Sequence, residues 1–426
     1  MLREALINQL KDKGKAARFG ARNLAKIPTN VKDEALMNIA KALKSREAEI
    51  LVANQEDMRH GRESGLDDAM VDRLMLDPYR LAGIAEDVKR VANLPDPIGE
   101  TFDARTMSNG LEVSRRRVPL GVIAAIYESR PNVTIDIATL CIKSGNAVIL
   151  RGGSEAIRSN TVLSELVRDS VELAGISGAV VQFVESTDRE LVEVMLSMKE
   201  YIDLVIPRGG AELIQYVSDT AAMPVITGGI GVCHTYVDSE ADLEQAAAIA
   251  HNAKVQRPTV CNALDTLLVH VEIAQSCLPS IARRWADAGV EMHCDNRALD
   301  IITPLGIPNV KPSQEDDWGR EFLSLTAAVK VVDSFDEALE HIERYGSGHS
   351  EAIITEDYSK AMRFLDDVDA AAVFVNASTR FTDGSQLGLG AEVAISTNKM
   401  HARGPMGLKE LTSYKWIVLG SGQTRT

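Results

Sequence analysis

Apolar residues recur at three- and four-residue intervals through "VKDEALMNIAKALKSREAEILVANQEDM" and again through "DAMVDRLMLDPYRLAGIAEDVKRVANL". That spacing predicts helices over most of the first hundred residues. The pattern then changes. "TFDARTMSNGLEVSRRRVPLG" holds two strand-like segments around Asn109-Gly110, a hairpin signal in which both turn positions take positive φ. An isolated ribbon is marginally stable, so the hairpin is either a surface ribbon packed on its own chain or an arm toward a neighbouring subunit. From Val118 onward, Val/Ile/Leu-rich runs alternate with amphipathic stretches. "VIAAIY", "NAVILRGG", "AVVQFVES" and "YIDLVIPRGG" read as strands, with helices over "NVTIDIATLCIKSG", "SEAIRSNTVLSELVRDSVELAG", "DRELVEVMLSM" and "AELIQYVSDTA". The rhythm resumes from "DLEQAAAIAHNAKV" through "ALDTLLVHV" to "AAVFVNAS". Near-continuous apolar strands between helices imply mainly parallel sheets covered on both faces. Two α/β units are expected, divided near the glycines of "VITGGIGVCHTYVDS", and "SYKWIVLGSGQTRT" offers a last strand free to pair with the hairpin.

Composition narrows the function. The 426 residues suffice for two or more cored domains. Lys plus Arg number 46 against 61 Asp plus Glu, a net charge of −15 that disfavours nucleic acid or an anionic membrane as main partner. Aromatics are only 4 %, too few for a nucleobase-stacking surface. No apolar run is long enough to span a bilayer, and the N-terminus lacks a signal-peptide core. Five cysteines without CxxC spacing form neither a disulfide framework nor a zinc cluster. The chain reads as cytoplasmic, with reduced thiols. The eight histidines show no HxH or HExxH spacing, so no metal site is expected, and His349 reads as structural.

Three places carry candidate chemistry. In "VILRGGSEA" and "VIPRGGAEL", glycines follow a strand and precede a helix, so backbone approaches a phosphate closely while Arg151 or Arg208 adds charge. Helix capping beside solvated arginines is the alternative for either motif alone; two in one unit point to a dinucleotide site. In "YESRPNVTID", Pro131 starts a helix and Asn132 falls in its first turn, where its amide either caps the helix or donates to a developing oxyanion. The residues alone favour capping. Cys261 lies in a loop after Arg257 and Pro258, where a nearby cation lowers a thiol's pKa and makes it a nucleophile. Cys141, Cys233, Cys277 and Cys294 fall in helix- or strand-like runs and read as buried thiols.

Taken in order, "VPLGVIAAIYESRPNVTIDIATLCIKSGNAVILRGGSEA", "DLVIPRGG", "KVQRPTVCNALDTLLVH", "DWGREFLSLTAAVKVV", "ERYGSGHSEAIITED", "VFVNASTRFTDG" and "RGPMGLKELTSYKW" resemble the aldehyde dehydrogenase superfamily. More closely, they resemble its γ-glutamyl phosphate reductase family, from the N-terminal helices to the last strand. The resemblance implies two Rossmann-like α/β domains with a β-hairpin oligomerisation arm. Residues 1–101 and 119–228 would form the dinucleotide-binding domain, 229–401 the catalytic domain, and 102–118 with 402–426 the arm. It implies that Cys261 is the nucleophile and that Asn132 serves the oxyanion, reversing the capping preference. Arg151, Gly152, Gly153 and Ser154 would hold the adenosine ribose and its phosphate, with Arg151 suiting NADP. Arg208, Gly209 and Gly210 would turn over the pyrophosphate, and Glu321 would bind the nicotinamide ribose. Arg130, Ser378 and Arg380 are candidates for the anionic substrate.

The activity so implied is NADPH-dependent reduction of L-glutamate 5-phosphate to the semialdehyde and phosphate, in proline biosynthesis, through a cysteine thioester. Homo-oligomerisation and association with glutamate 5-kinase come with it. There is one departure from the hydrolytic aldehyde dehydrogenases. They carry a Glu before a Gly-Gly pair as base for deacylation, whereas this chain reads "PVITGGIG" there, without a carboxylate. Two other readings share part of these features: another acyl-transferring aldehyde dehydrogenase, and a non-catalytic nucleotide-binding protein.

Overall fold

The run "VIAAIY" forms the strand Val122–Tyr127, every residue of it buried. Its continuous apolar character follows from helices covering both faces of a parallel sheet. In the computed structural model, which describes residues 2–226, 228 and 230–425, this strand is central to a four-stranded sheet. The order is Val181–Phe183, Ala147–Gly152, Val122–Tyr127, Leu204–Arg208, all parallel. The chain fills one side of the central strand and then crosses to the other, making a topological switch point. Register places Tyr127 opposite both Gly152 and Arg208, so both glycine-rich turns leave the same carboxyl edge.

These strands belong to a unit formed by Met1–Gly228, Gly388–Ala394 and Met406–Thr426. Its N-terminal helices are Leu2–Leu24, Thr29–Ser45, Glu47–Glu63, Asp68–Leu74 and Pro78–Asn93. Asp77 starts the last of these by accepting from the Arg80 N–H at 2.7 Å, with Pro78 in the first turn, where its missing N–H costs nothing. Residues 388–394, expected in the second domain, cluster here instead. The Val393 N–H donates to the Met406 carbonyl at 3.0 Å and the Met406 N–H to the Ala394 carbonyl at 2.8 Å, tying the segment to the chain that leads into the last strand.

The hairpin Thr101–Thr106 and Glu112–Pro119 is antiparallel, and Thr412–Leu419 pairs along Glu112–Pro119 to complete a three-stranded sheet. The turn differs from expectation. Gly110 has φ 85°, but Asn109 is not among the residues with positive φ. The Gly110 N–H donates to the Met107 carbonyl, and Met107 donates to Leu111, both at 2.8 Å. One left-handed residue closes a three-residue loop, and the Asn109 side chain accepts from the Leu111 N–H at 3.2 Å instead.

The second unit, Gly229–Leu387 with Ile395–Pro405, holds a seven-stranded parallel sheet. Its order is Val310–Pro312, Glu291–Cys294, Thr326–Val332, Leu264–His270, Cys233–Val237, Ser350–Ile354, Ala372–Val375. Trp285, on the helix Val271–Asp287, is fully buried in the apolar cluster on one face. No helix among the described residues is long and apolar enough to cross a membrane.

Candidate active site

Cys261 sits in the loop between the helix Leu243–Val255 and the strand Leu264–His270. It is partly exposed, whereas Cys141, Cys233, Cys277 and Cys294 are buried. Burial pushes the Cys277 and Cys294 thiols up to about 12 and those of Cys141 and Cys233 further still. Those four are protonated and inert at neutral pH. The Cys261 loop is clamped from two sides. The Cys233 thiol donates to the Cys261 carbonyl at 3.1 Å. Gly231 lies so close that a Cβ there would stand 1.8 Å from the Cys261 carbonyl oxygen and 2.8 Å from its Cβ, so only glycine fits. The Gly231 N–H donates to Glu321 Oε1 at 3.0 Å. One glycine thus brings the expected nucleophile and the expected ribose-binding acid together.

The segment carrying Arg380 is strapped to the same loop. Asn262 donates its amide to the Thr382 carbonyl at 2.8 Å, and the Thr379 hydroxyl donates to the Asn262 carbonyl at 2.8 Å. Arg380 Nε donates to Gln256 Oε1 at 2.9 Å. Burial and then the Arg257 charge hold its pKa below the usual guanidinium range, while Asp383 and Cys261 oppose that shift. A cation therefore lies in electrostatic reach of the thiol, and it is Arg380 rather than the Arg257 that the loop sequence pointed to. Ser378 is buried and its hydroxyl accepts from the Arg380 N–H at 3.3 Å, capping the short helix Thr379–Phe381. His349 is buried with its pKa pushed down to about 4, and Nδ1 hydrogen-bonds the Ser350 hydroxyl at 2.7 Å. It is neutral and structural.

One residue here escapes sequence reading. Asp265 is buried and pushed up to about 7 by desolvation, with Lys254 Nζ 3.7 Å away. Its carboxylate accepts from the Phe322 N–H at 3.1 Å and the Cys233 N–H at 3.5 Å, fixing the backbone next to Glu321. No sequence signal marks it, because its partners lie too far along the chain to be read. Of the glycine segment between the units, Thr227 and Gly229 lie outside the described residues.

In the first unit, Asn132 opens the helix Asn132–Lys143, which has no side-chain cap. Capping, favoured by the residues alone, is not what this side chain does. Its Nδ2 donates instead to Asp136 Oδ2, one turn on, at 2.9 Å. Burial raises Asp136 to about 6 against the opposing effects of this hydrogen bond and the Arg208 charge. The Ser129 backbone just before it is left-handed, φ 46°, and half-buried Arg130 follows.

Arg151, the penultimate residue of its strand, is half-buried. Its Nη2 donates to the Thr187 carbonyl at 3.3 Å, while its Nε is buried without a partner. Desolvation, the largest influence, lowers its pKa. Gly153 precedes the short helix Ser154–Ala156, and Gly210 precedes the helix Ala211–Thr220, where a Cβ would stand in ordinary contact, 4.0 Å from Glu128 Oε2. An unsatisfied guanidinium N–H and a glycine-led helix N-terminus on one sheet edge fit a phosphate-bearing dinucleotide. Two acids also use these turns. Glu128 Oε2 accepts from the Gly210 N–H at 3.1 Å, and Glu155 Oε1 accepts from the Ser129 N–H at 2.6 Å.

Residues 4–304 match the model of the aldehyde dehydrogenase family. A relative from Dehalococcoides mccartyi (strain CBDB1), a gamma-glutamyl phosphate reductase, is 59 % identical over 99 % of this chain and 100 % of its own length. The crystal structure of gamma-glutamyl phosphate reductase from Thermotoga maritima superposes with a TM-score of 0.94 at 46 % identity, covering 98 % of this chain and 100 % of that one. An acetylating aldehyde dehydrogenase from Geobacillus thermoglucosidasius, 17 % identical with a TM-score of 0.71 over 100 % of this chain and 99 % of that one, shares the fold. The chain belongs to the aldehyde dehydrogenase family and, within it, to the gamma-glutamyl phosphate reductases.

Proposed function

We propose that this chain reduces L-glutamate 5-phosphate to L-glutamate 5-semialdehyde with NADPH, releasing phosphate, as a step of proline biosynthesis. The observation that carries the reading is the 59 % identity extending through 99 % of the chain. The Cys261 thiolate attacks the γ-carbonyl carbon, the carbon–sulfur bond forms, and phosphate departs with the electron pair of the carbon–oxygen bond. Asn132 donates to the oxyanion formed in that step, a contribution commonly worth about 3 kcal/mol per donor. Arg130 and Arg380 receive the substrate's anionic groups, and the backbone held by Ser378 positions Arg380. Gly152, Gly153, Ser154, Arg208, Gly209 and Gly210 hold the cofactor's phosphates and ribose, and Glu321 its nicotinamide ribose. When bound, the cofactor supplies the hydride that reduces the acyl group. The hairpin sheet serves as the arm of a homo-oligomer. Glutamate 5-kinase is the natural partner, because its product is an unstable acyl phosphate. A reducing cytoplasm suits a thiol nucleophile.

The test is a coupled assay with glutamate semialdehyde, NADP and phosphate, set against propionaldehyde or other simple aldehydes. Phosphate-dependent NADP reduction specific to glutamate semialdehyde is expected. Preference for a simple aldehyde with CoA would move the chain to the acyl-CoA-forming members of the family.

Arg151, with a spare N–H, is suited to the 2′-phosphate of NADP. A charge-assisted hydrogen bond of about 1.5–3 kcal/mol implies that Arg151→Ala raises the NADPH KM roughly tenfold to a hundredfold. The NADH KM should hardly change; equal effects on both would mean that Arg151 does not read that phosphate.

Asp136 sets a pH dependence. Above its pKa of about 6 the carboxylate accepts the Asn132 N–H, and below it the protonated acid turns donor and releases the amide from that orientation. kcat/KM should therefore fall as pH drops through about 6. Asp136→Asn should lower the rate and remove that limb beyond what substrate ionisation causes. An unchanged acid limb in the variant would assign it elsewhere.

A further inference from the structure

A cavity of about 740 Å³ opens in the first unit between the C-terminal part of the helix Leu2–Leu24 and the base of the hairpin sheet. Its charged wall is Arg18, Arg22, Lys26, Arg116, Arg117 and Lys415, with Glu200 the one acid among the lining residues. Arg18 is committed to Asp203, and Arg117 to Glu100 at 2.9 Å. Arg22, Lys26, Arg116 and Lys415 have no carboxylate partner among the described residues. Two separate features of the backbone crowd these cations together. Arg18 and Arg22 stand one helical turn apart, and like charges at that spacing destabilise a helix. Arg116 and Lys415 face each other across the antiparallel ladder, where like charges are again unfavourable. The helix dipole favours cations near the end of Leu2–Leu24, but it says nothing of the pair on the sheet.

The place is also distinct from the proposed cofactor site. Gly121 lines the cavity and leads into Val122, the first residue of the central strand. Arg18 meets Asp203, which precedes the neighbouring strand Leu204–Arg208. The glycine-rich turns leave the opposite, carboxyl edge, about 17 Å away along strands rising some 3.3 Å per residue.

We propose that this cavity binds a small polyphosphate, its phosphate chain spanning the cations of the helix and those of the sheet. Four unpaired cations balance an anion of three or four charges, where a single carboxylate would satisfy one or two. The guanidinium forks of Arg22 and Arg116 match phosphate oxygens in pairs, and the volume suits a ligand of that size.

Calorimetry on the full chain with inorganic triphosphate, at low salt to limit screening, tests this. One site per chain is expected, weakened at least about tenfold in the Lys26→Ala/Lys415→Ala variant, both side chains being exposed and free of packing roles. Arg151→Ala should leave it unchanged. Absence of binding, or equal binding to the double variant, would overturn the proposal. So would loss in Arg151→Ala alone, which would put the triphosphate in the cofactor site. Repeating the titration with ATP under excess NADPH identifies the source. Equal affinity means that only the phosphate chain is read, tighter binding means a nucleotide, and no binding means free polyphosphate alone. If triphosphate gives no heat and the double variant lowers the assembly's mass in sedimentation, the cavity is a contact between copies of the chain and the proposal falls.

Discussion

Cys261→Ser should lower turnover by about a thousandfold or more while NADPH binding and folding persist. The reason lies in what surrounds the loop. A serine hydroxyl needs a general base to become a nucleophile, and among the described residues the titratable groups beside the loop are already engaged, Glu321 by the Gly231 N–H. His349 is buried, neutral and engaged with Ser350. Asp265 is buried under the loop and occupied by the Phe322 and Cys233 N–H groups. A thiol needs only to ionise, and the Arg380 charge lies in electrostatic reach of it. Because serine is nearly isosteric and Gly231 contacts the backbone and Cβ of residue 261, melting should shift by no more than about 2 °C. Alkylation supplies an independent check. At neutral pH iodoacetamide should add once per native chain, since the other four thiols are buried and protonated. A serine variant with near-wild-type rate, or a single adduct on another cysteine, would place the nucleophile elsewhere.

How much of this was readable from sequence depends on the range of the interaction. Strands such as Val122–Tyr127 and helices such as Pro78–Asn93 follow local rules of periodicity and capping, and they appear where the pattern put them. The hairpin was legible as a hairpin, but not its turn. Asn109 places its side chain on the Leu111 N–H, so only Gly110 needs the left-handed region. Asn132 was ambiguous because capping and oxyanion donation call for the same residue at the same helix end. What rules out capping is Asp136 at i+4, which accepts a hydrogen bond from the amide Nδ2, a local clue that residue-by-residue reading passed over. Other features are long-range. Gly231 touching Cys261, Asp265 holding Phe322, and Glu128 reaching Gly210 join residues 30, 57 and 82 positions apart. Nothing in the composition around Gly231 says that its missing Cβ makes room for a carbonyl. The paired cations of Arg116 and Lys415 were equally invisible until the last strand was set in register.

In the oxidative direction without phosphate, the enzyme should release a burst of about one NADPH per chain and then nearly stop. On the proposed mechanism, Cys261 would add to the aldehyde carbon of glutamate semialdehyde, and the bound nicotinamide cofactor would accept the hydride, leaving a thioester on the sulfur. The thioester has two fates. Water must be deprotonated to attack it efficiently, and the place where hydrolytic relatives carry that base reads Pro-Val-Ile-Thr-Gly-Gly here, without a carboxylate. Phosphate brings its own negative charge, and its attack is the reverse of its departure in the reductive reaction, so it needs no added base. It forms the acyl phosphate, expels the Cys261 thiolate and resets the enzyme. Adding phosphate should restore steady NADPH production, and arsenate should do the same, because its acyl ester falls apart in water and pulls the reaction forward. The burst should titrate with the number of alkylatable Cys261 thiols. It should be absent from Cys261→Ser, which distinguishes a stalled acyl-enzyme from slow product release. Sustained NADPH production in phosphate-free buffer would sink the idea, since some other group would then be activating water at the thioester.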